Sequence, residues 1–231
     1  MTPSLANFIG YGASALITLF ISWHLIKSYF KHREITVGYF ASYISVRFGI
    51  FTSFTLLNLA YLMSGNLLIP AILFVVAWGF IFASLIFPPL LFCTLLKWKK
   101  LKIIYPGLIV IAGIIGVGAA IANFSPVTIN PKTSLPFVNP AQLTVILYAM
   151  SKITAVLPLA IMFLSQARKS EKWLKIRSLL IGFGLVWIIS TIIAPILLTG
   201  TLSGIYTSIG DILIFAGIRY GQTARKNSEQ V

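Results

Sequence analysis

Apolar residues run along this chain in long unbroken stretches, with neither the alternation of a half-buried strand nor the one-sided stripe of a soluble helix, and polar residues gather in short segments between them. Stretches at 7–30, 37–63, 68–96, 102–122, 141–166, 176–199 and 203–221 each approach or exceed the roughly 20 residues that a helix needs to cross a hydrocarbon core about 30 Å thick. The pattern predicts an all-α integral membrane protein: a seven-transmembrane helix bundle over residues 1–221 and a short cytoplasmic tail at 222–231.

The polar segments set the expected orientation. Lys27, Lys31 and Arg33 follow the first stretch, and Lys97, Lys99, Lys100 and Lys102 follow the third. Arg168, Lys169, Lys172, Lys175 and Arg177 follow the fifth, and Arg219, Arg225 and Lys226 follow the seventh, so that 15 of the 18 basic residues fall on alternate connections. The intervening connections at 64–67, 123–140 and 200–202 contain only Lys132. The positive-inside rule then places the N-terminus outside and the C-terminus in the cytoplasm, which demands an odd number of crossings and agrees with seven. The expected location is the plasma (cytoplasmic) membrane, as a multi-pass protein.

Composition narrows the chemistry. With 58% hydrophobic and 10% charged residues, against about 25% charged in soluble domains, the chain reads as one membrane domain. A net charge of +14 on a soluble face would suggest nucleic acid, but these cations sit between apolar stretches, so the bilayer is the expected partner and nucleic acid is not. Residues 7–30 lack both a preceding basic region and a following small-residue cleavage pattern, which predicts a retained first helix. Cys93 is the sole cysteine, which rules out an intrachain disulfide or a cysteine metal cage. His24 and His32, both on or just after the first helix, cannot assemble a haem or a three-histidine zinc site. Without a phosphate-binding loop, a carboxylate pair or a nucleophile–base pair, no cofactor, no metal and no enzymatic activity are expected.

Prolines mark the expected breaks. Pro126, Pro131, Pro136 and Pro140 deny the 123–140 connection regular structure, leaving it as either a lid over the outer mouth or a passive turn. Pro158 and Pro195 are expected to interrupt the fifth and sixth helices, and Pro88-Pro89 the inner half of the third.

Three ionisable residues fall near the middle of their stretches: Arg47, Lys152 and Asp211. A charge in hydrocarbon costs some 2.5 to 3.5 kcal/mol even on the lenient insertion scale, so each requires a partner, water or a function. Asp211, the one acidic residue inside an apolar stretch, can pair with Lys152 or with Arg47, leaving one cation over. That spare cation would receive a small anionic ligand such as chloride or a carboxylate, or it would snorkel outward and leave a structural salt bridge behind. Trp78, Trp187, Tyr43, Tyr148 and Asn58 lie at similar depth and either line such a polar cavity or fill the core. His24, near the end of the first helix, reads as a hydrogen-bonded interfacial histidine.

The segment YTSIGDILIFAG around Asp211 is similar to the last helix of microbial rhodopsins, in which a lysine four residues after the aspartate carries retinal. Phe215 occupies that place here, so no retinal link is available on this helix. A broader likeness begins with RSLLIGFGLVWIIS (Arg177 to Ser190) and GDILIFAGIRYG (Gly210 to Gly221), in which Ala216, Gly217, Ile218, Arg219 and Tyr220 form a closing tag. With Trp78 and the proline-bearing LIFPPLLF of the third stretch (Leu85 to Phe92), these segments resemble the N-terminal seven-helix sensor region found ahead of bacterial histidine kinases and diguanylate cyclases. The resemblance implies a bundle with a sensory role and transfers no site residue, since that group shares no common ligand. In that group an effector domain follows the last helix, whereas here GQTARKNSEQV follows it, so output is expected through a separate partner protein.

The expected function is a stand-alone membrane sensor or accessory subunit that responds to a small ligand or membrane signal and acts through a cytoplasmic or membrane partner. Asp211, Lys152, Arg47, Trp78, Trp187, Tyr148 and Asn58 are its candidate switch or ligand residues. A small transporter or ion channel using the same three charges, and a structural membrane subunit, are the alternatives.

Overall fold

The structure is a computed structural model that describes residues 3–64, 68–122, 128–129, 136–137, 141–192 and 200–228. It contains helices α1 (Pro3–His32), α2 (Ile35–Ser64), α3 (Leu68–Ser84), α4 (Phe87–Leu95), α5 (Leu101–Ala122), α6 (Gln142–Lys169), α7 (Lys172–Ser190) and α8 (Gly200–Ser228). Among the described residues six helical spans are long and apolar enough to cross a membrane: α1, α2, the α3–α4 rod over Leu68–Leu95, α5, α6 and α7. The final apolar stretch lies in α8, which is less apolar as a whole because it continues into the polar run from Arg219 to Ser228, and it buries Ser208 and Asp211 within the bundle. The outer faces of the spans are apolar: Leu16 is 70% exposed, Ile114 68% and Ile103 79%. So much exposed aliphatic surface suits lipid as solvent.

Helix neighbours follow chain order with one closure. Helix α1 packs on α2, α2 on α3, α5 on α6, α6 on α7, and α7 on α8, while α8 returns to α1. Cross-links at one end show that the basic connections converge there. Arg177 of α7 bridges to Glu34 in the α1–α2 connection. Gln222 Nε2 of α8 donates to Ser28 Oγ of α1 at 2.6 Å, and Lys102 Nζ of α5 stands 6.0 Å from the Tyr39 ring of α2. Three connections turn through a left-handed residue, Arg33 (φ 53°), Lys97 (φ 59°) and Lys172 (φ 50°), each costing about 1–2 kcal/mol in a non-glycine residue. All of them are at this basic end.

The prolines act differently from expectation in two places. Pro158 does not interrupt its helix, because α6 runs unbroken through it. A proline lacks the N–H that would bond to the carbonyl four residues earlier, here that of Thr154. The Tyr105 hydroxyl of α5 donates to that same Thr154 carbonyl, and the neighbouring helix so satisfies what the proline leaves orphaned. The 123–140 connection is not wholly irregular either, since Thr128–Ile129 and Pro136–Phe137 form a short antiparallel ladder, β1 and β2, pairing Thr128 with Phe137 and Ile129 with Pro136. Pro136 is tolerated as the first residue of its strand. The remainder of that connection, with the expected lid and Lys132, and the expected break at Pro195, lie outside the described residues.

Pro88 and Pro89 do break the third rod. Neither can bond to Ser84 or Leu85, so α3 stops at Ser84 and α4 restarts at Phe87 after the tight bonds Leu85 N to Phe82 O (3.1 Å) and Ile86 N to Ala83 O (3.3 Å). Elsewhere small residues set the packing, since helices in lipid associate through close fit more than through hydrophobic transfer. A Cβ on Gly184 of α7 would lie 2.8 Å from the carbonyl oxygen of Gly210 of α8, and one on Gly210 would lie 2.9 Å from that of Gly184. The α7–α8 seam is backbone against backbone.

The dry core lies between this seam and α2 and α6. Val37 and Ile44 of α2, Val156 and Leu159 of α6, Ile181, Leu185 and Ile188 of α7, and Ile214 and Ile218 of α8 have no exposed surface.

Candidate functional site

Arg47 and Asp211 meet next to that dry layer, on its side away from the basic end, and Lys152 of α6 lies on the same side of it. Arg47 follows Val37 and Ile44 along α2 going away from that end, whereas Asp211 precedes Ile214 and Ile218 along α8 going toward it. Lys152 likewise precedes Val156 and Leu159 on α6. At 5%, 2% and 0% exposure for Arg47, Lys152 and Asp211, the three are shielded from both lipid and water.

Asp211 pairs with Arg47. The guanidinium Nε donates to Asp211 Oδ2 at 2.9 Å and is equally close, at 2.9 Å, to Oδ1, which accepts no aligned hydrogen bond. Nη1 donates to the Tyr43 hydroxyl at 3.4 Å and Nη2 to the Thr207 carbonyl at 3.3 Å, so each guanidinium nitrogen has an acceptor. Tyr43 and Phe51, one turn either side of Arg47 on α2, set their rings 5.5 Å from its guanidinium carbon and so wall the cation with aromatic surface. The helical spacing i−4, i, i+4 makes this possible, since such residues share one face.

Lys152 has neutral partners. Its ammonium donates to the Tyr148 hydroxyl at 2.6 Å and to Thr191 Oγ1, whose own proton goes to the Ile188 carbonyl at 2.7 Å. The Tyr148 ring, one turn earlier on α6, lies 4.9 Å from the ammonium. An ammonium has three protons to donate, and among the described residues these two oxygens are its acceptors. Of the two basic side chains that the sequence offers to Asp211, Arg47 is the one paired and Lys152 the one left over.

Trp78 of α3 closes the same region. Its ring meets Tyr148 edge-on at 5.4 Å, it is 7% exposed, and its indole Nε1 has no hydrogen-bond partner among the described residues. A buried unsatisfied donor costs about 1–3 kcal/mol. Trp78 and Lys152 thus adjoin the same Tyr148, each with a donor to spare among the described residues, and Asp211 Oδ1 is the acceptor without an aligned bond. Two donors, one of them on Lys152, are thus set against one acceptor.

Other candidates go elsewhere. Trp187 clamps α7 to α8, with Nε1 donating to the Tyr206 carbonyl at 2.8 Å and the two rings 4.7 Å apart. Asn58 is buried and its amide donates to Phe54 O of its own helix at 2.8 Å. His24 Nδ1 bonds to the Phe20 carbonyl at 2.9 Å, as an interfacial histidine would. Sequence reasoning missed Thr191 and the Thr207 carbonyl, both from polar positions within otherwise apolar runs. No protein-family model matches the sequence, and no curated protein or solved structure matches it either.

Proposed function

We propose that the chain is a seven-helix membrane protein, N-terminus outside and C-terminus cytoplasmic, that senses a small anion at the Arg47–Asp211–Lys152 cluster and relays its binding to a partner protein. The observation that carries this reading is the unequal treatment of the two cations: Arg47 is neutralised by Asp211 at 2.9 Å, while Lys152 is held by hydroxyls. An arriving chloride or carboxylate would meet Lys152 and compete with Asp211 for the cations, shifting the balance between α2, α6 and α8. A ligand moves a two-state element by its differential affinity for the states, and a charge pair joining separate helices supplies such an element.

The convergence of basic connections at one end supports the orientation, since short cation-rich loops stay on the cytoplasmic side. Helix α8, 29 residues and so about 43 Å long, has the reach for the seventh crossing. Sensing is favoured over permeation by the dry layer of Ile44, Leu159, Leu185 and Ile214, which separates the cluster from the basic end. A permeation route would need water there. The resemblance of the last third to bacterial sensor regions points the same way. Helix α8 is the natural output, because it carries Asp211 midway and Gln222 at the basic end, and it rests on α7 across the glycine seam.

The test places spin labels on exposed Lys169 and Thr223 of the reconstituted protein and measures their separation in chloride, acetate and gluconate. The expected result is a separation that differs in chloride or acetate from that in gluconate, and that ceases to differ in Lys152→Met. Identical distributions in all three salts would overturn the sensor, and chloride flux through the protein alone in liposomes would replace it with a permeation pathway.

A further inference from the structure

Outside the charge cluster, the most built feature is a groove of about 410 Å³ between the basic ends of α1 and α8. Among the described residues it is lined by three cations, Lys27, Lys31 and Arg219, and by no carboxylate. The nearest acidic group along the chain, Glu34, is taken by Arg177. The groove wall is fixed by the Gln222–Ser28 hydrogen bond joining the two helices, and its membrane-side limit by aromatic packing, with His24 4.1 Å from Phe20 and 6.1 Å from Phe215 between ring centroids. Three unpaired cations around a fixed polar wall attract a multiply oxygenated anion.

One stripe of α1 indicates what carries that anion. Leu16, Phe20, Trp23, Lys27 and Lys31 follow one another at steps of four, three, four and four residues, which places them on one face. Leu16, Phe20 and Trp23 are exposed at 70%, 56% and 67%. The face thus passes from aliphatic to aromatic to cationic, the order in which a leaflet passes from acyl chain to interface to headgroup. From Leu16 to Lys31 is about 22 Å of helix, close to one leaflet including its headgroup. A soluble phosphate would use only the cationic end, whereas a phospholipid uses the whole stripe.

We propose that the α1–α8 groove binds the phosphate of an anionic phospholipid whose acyl chains lie along Leu16, Phe20 and Trp23. The proposal rests on the bilayer-spanning reading and not on the anion-sensing one, and it joins lipid composition to the helix that carries Asp211.

The test is native mass spectrometry of the detergent-purified full chain with phosphatidylglycerol or phosphatidylcholine added. Each cation near an anionic headgroup is worth roughly fivefold, so three give about a hundredfold preference for phosphatidylglycerol. The variant Lys27→Gln/Lys31→Gln/Arg219→Gln is expected to lose that preference, and Lys97→Gln/Lys99→Gln/Lys100→Gln, with equal loss of charge, to keep it. Equal retention of both lipids by the unmutated protein, or an unchanged preference in the groove variant, would overturn the site. Displacement of phosphatidylglycerol by millimolar inorganic phosphate would assign the groove to a free anion and overturn the lipid. Should the groove variant fail to fold, a photoactivatable phosphatidylglycerol on the unmutated protein decides: adducts on α1 around Phe20 and Trp23 support the proposal, and adducts confined to other helices overturn it.

Discussion

Arg47 Nε sits 2.9 Å from both carboxylate oxygens of Asp211, tying α2 to α8 across 164 residues of chain with neither side chain more than 6% exposed. In so dry a place, the attraction and the desolvation of the pair nearly cancel, and what matters is the consequence of removing one partner.

Asp211→Asn is expected to destabilise by about 3–5 kcal/mol, because Arg47 and Lys152 would then be neighbouring buried cations with no anion. The double variant Arg47→Met/Asp211→Leu should recover most of that loss, since apolar replacements of a whole pair are often neutral or better. Thermal unfolding in detergent of Arg47→Met, Asp211→Leu and the double closes the cycle. An Asp211→Asn protein as stable as the parent would show the pair to be energetically idle.

Lys152→Met should behave in the opposite manner. The ammonium is held by the Tyr148 and Thr191 hydroxyls alone, so its removal discards a desolvated charge and leaves two neutral groups. Unfolding temperature is expected to hold or rise, while any response to chloride or acetate disappears. A strong loss of stability would make Lys152 a structural member of the cluster.

Tyr105→Phe should cost about 1–3 kcal/mol, since the Thr154 carbonyl would have no donor in lipid once Pro158 has withheld its own. Pro158→Ala restores an N–H to that carbonyl. In a Pro158→Ala background Tyr105→Phe should therefore cost much less, and equal losses in both backgrounds would sever the link between the proline and the tyrosine.

The α7–α8 seam supplies a packing test. Gly184→Ala would bring a methyl to 2.8 Å from the Gly210 carbonyl, a backbone atom that cannot rotate away, and overpacking of this kind costs about 1–3 kcal/mol. Gly79→Ala on α3, where a methyl meets nothing within 4 Å, is the control and should change stability by less than about 0.5 kcal/mol. Detergent melting curves for both variants separate local crowding from helix propensity.

Most of the helical layout was legible because a membrane span declares itself through length and apolarity alone, and the site charges were legible because charges are rare at that depth. The pairing was not. Arg47 and Lys152 are equally eligible partners for Asp211 on composition, and the choice depends on which helix faces α8 at that level, a tertiary fact. Thr191 and the Thr207 carbonyl escaped notice because a lone threonine in an apolar run ordinarily bonds to its own helix. The expected interruption at Pro158 failed for a similar reason, since the remedy comes from Tyr105 on a different helix. Trp187 and Asn58 matched the depth of the charges but not their direction around the helix, and depth was the only coordinate available for them.

The Pro88–Pro89 break divides the α3–α4 rod into an upper half bearing Trp78 against Tyr148 and a lower half wedged among α2, α5 and α6. Two successive prolines remove two successive backbone bonds, so the Leu85–Ile86 junction is where such a rod yields most readily to a push at Trp78. If the chain is the sensor proposed above, the continuous helix α8, without a proline from Asp211 to Gln222, is the better carrier of a displacement from the charged centre to the basic end.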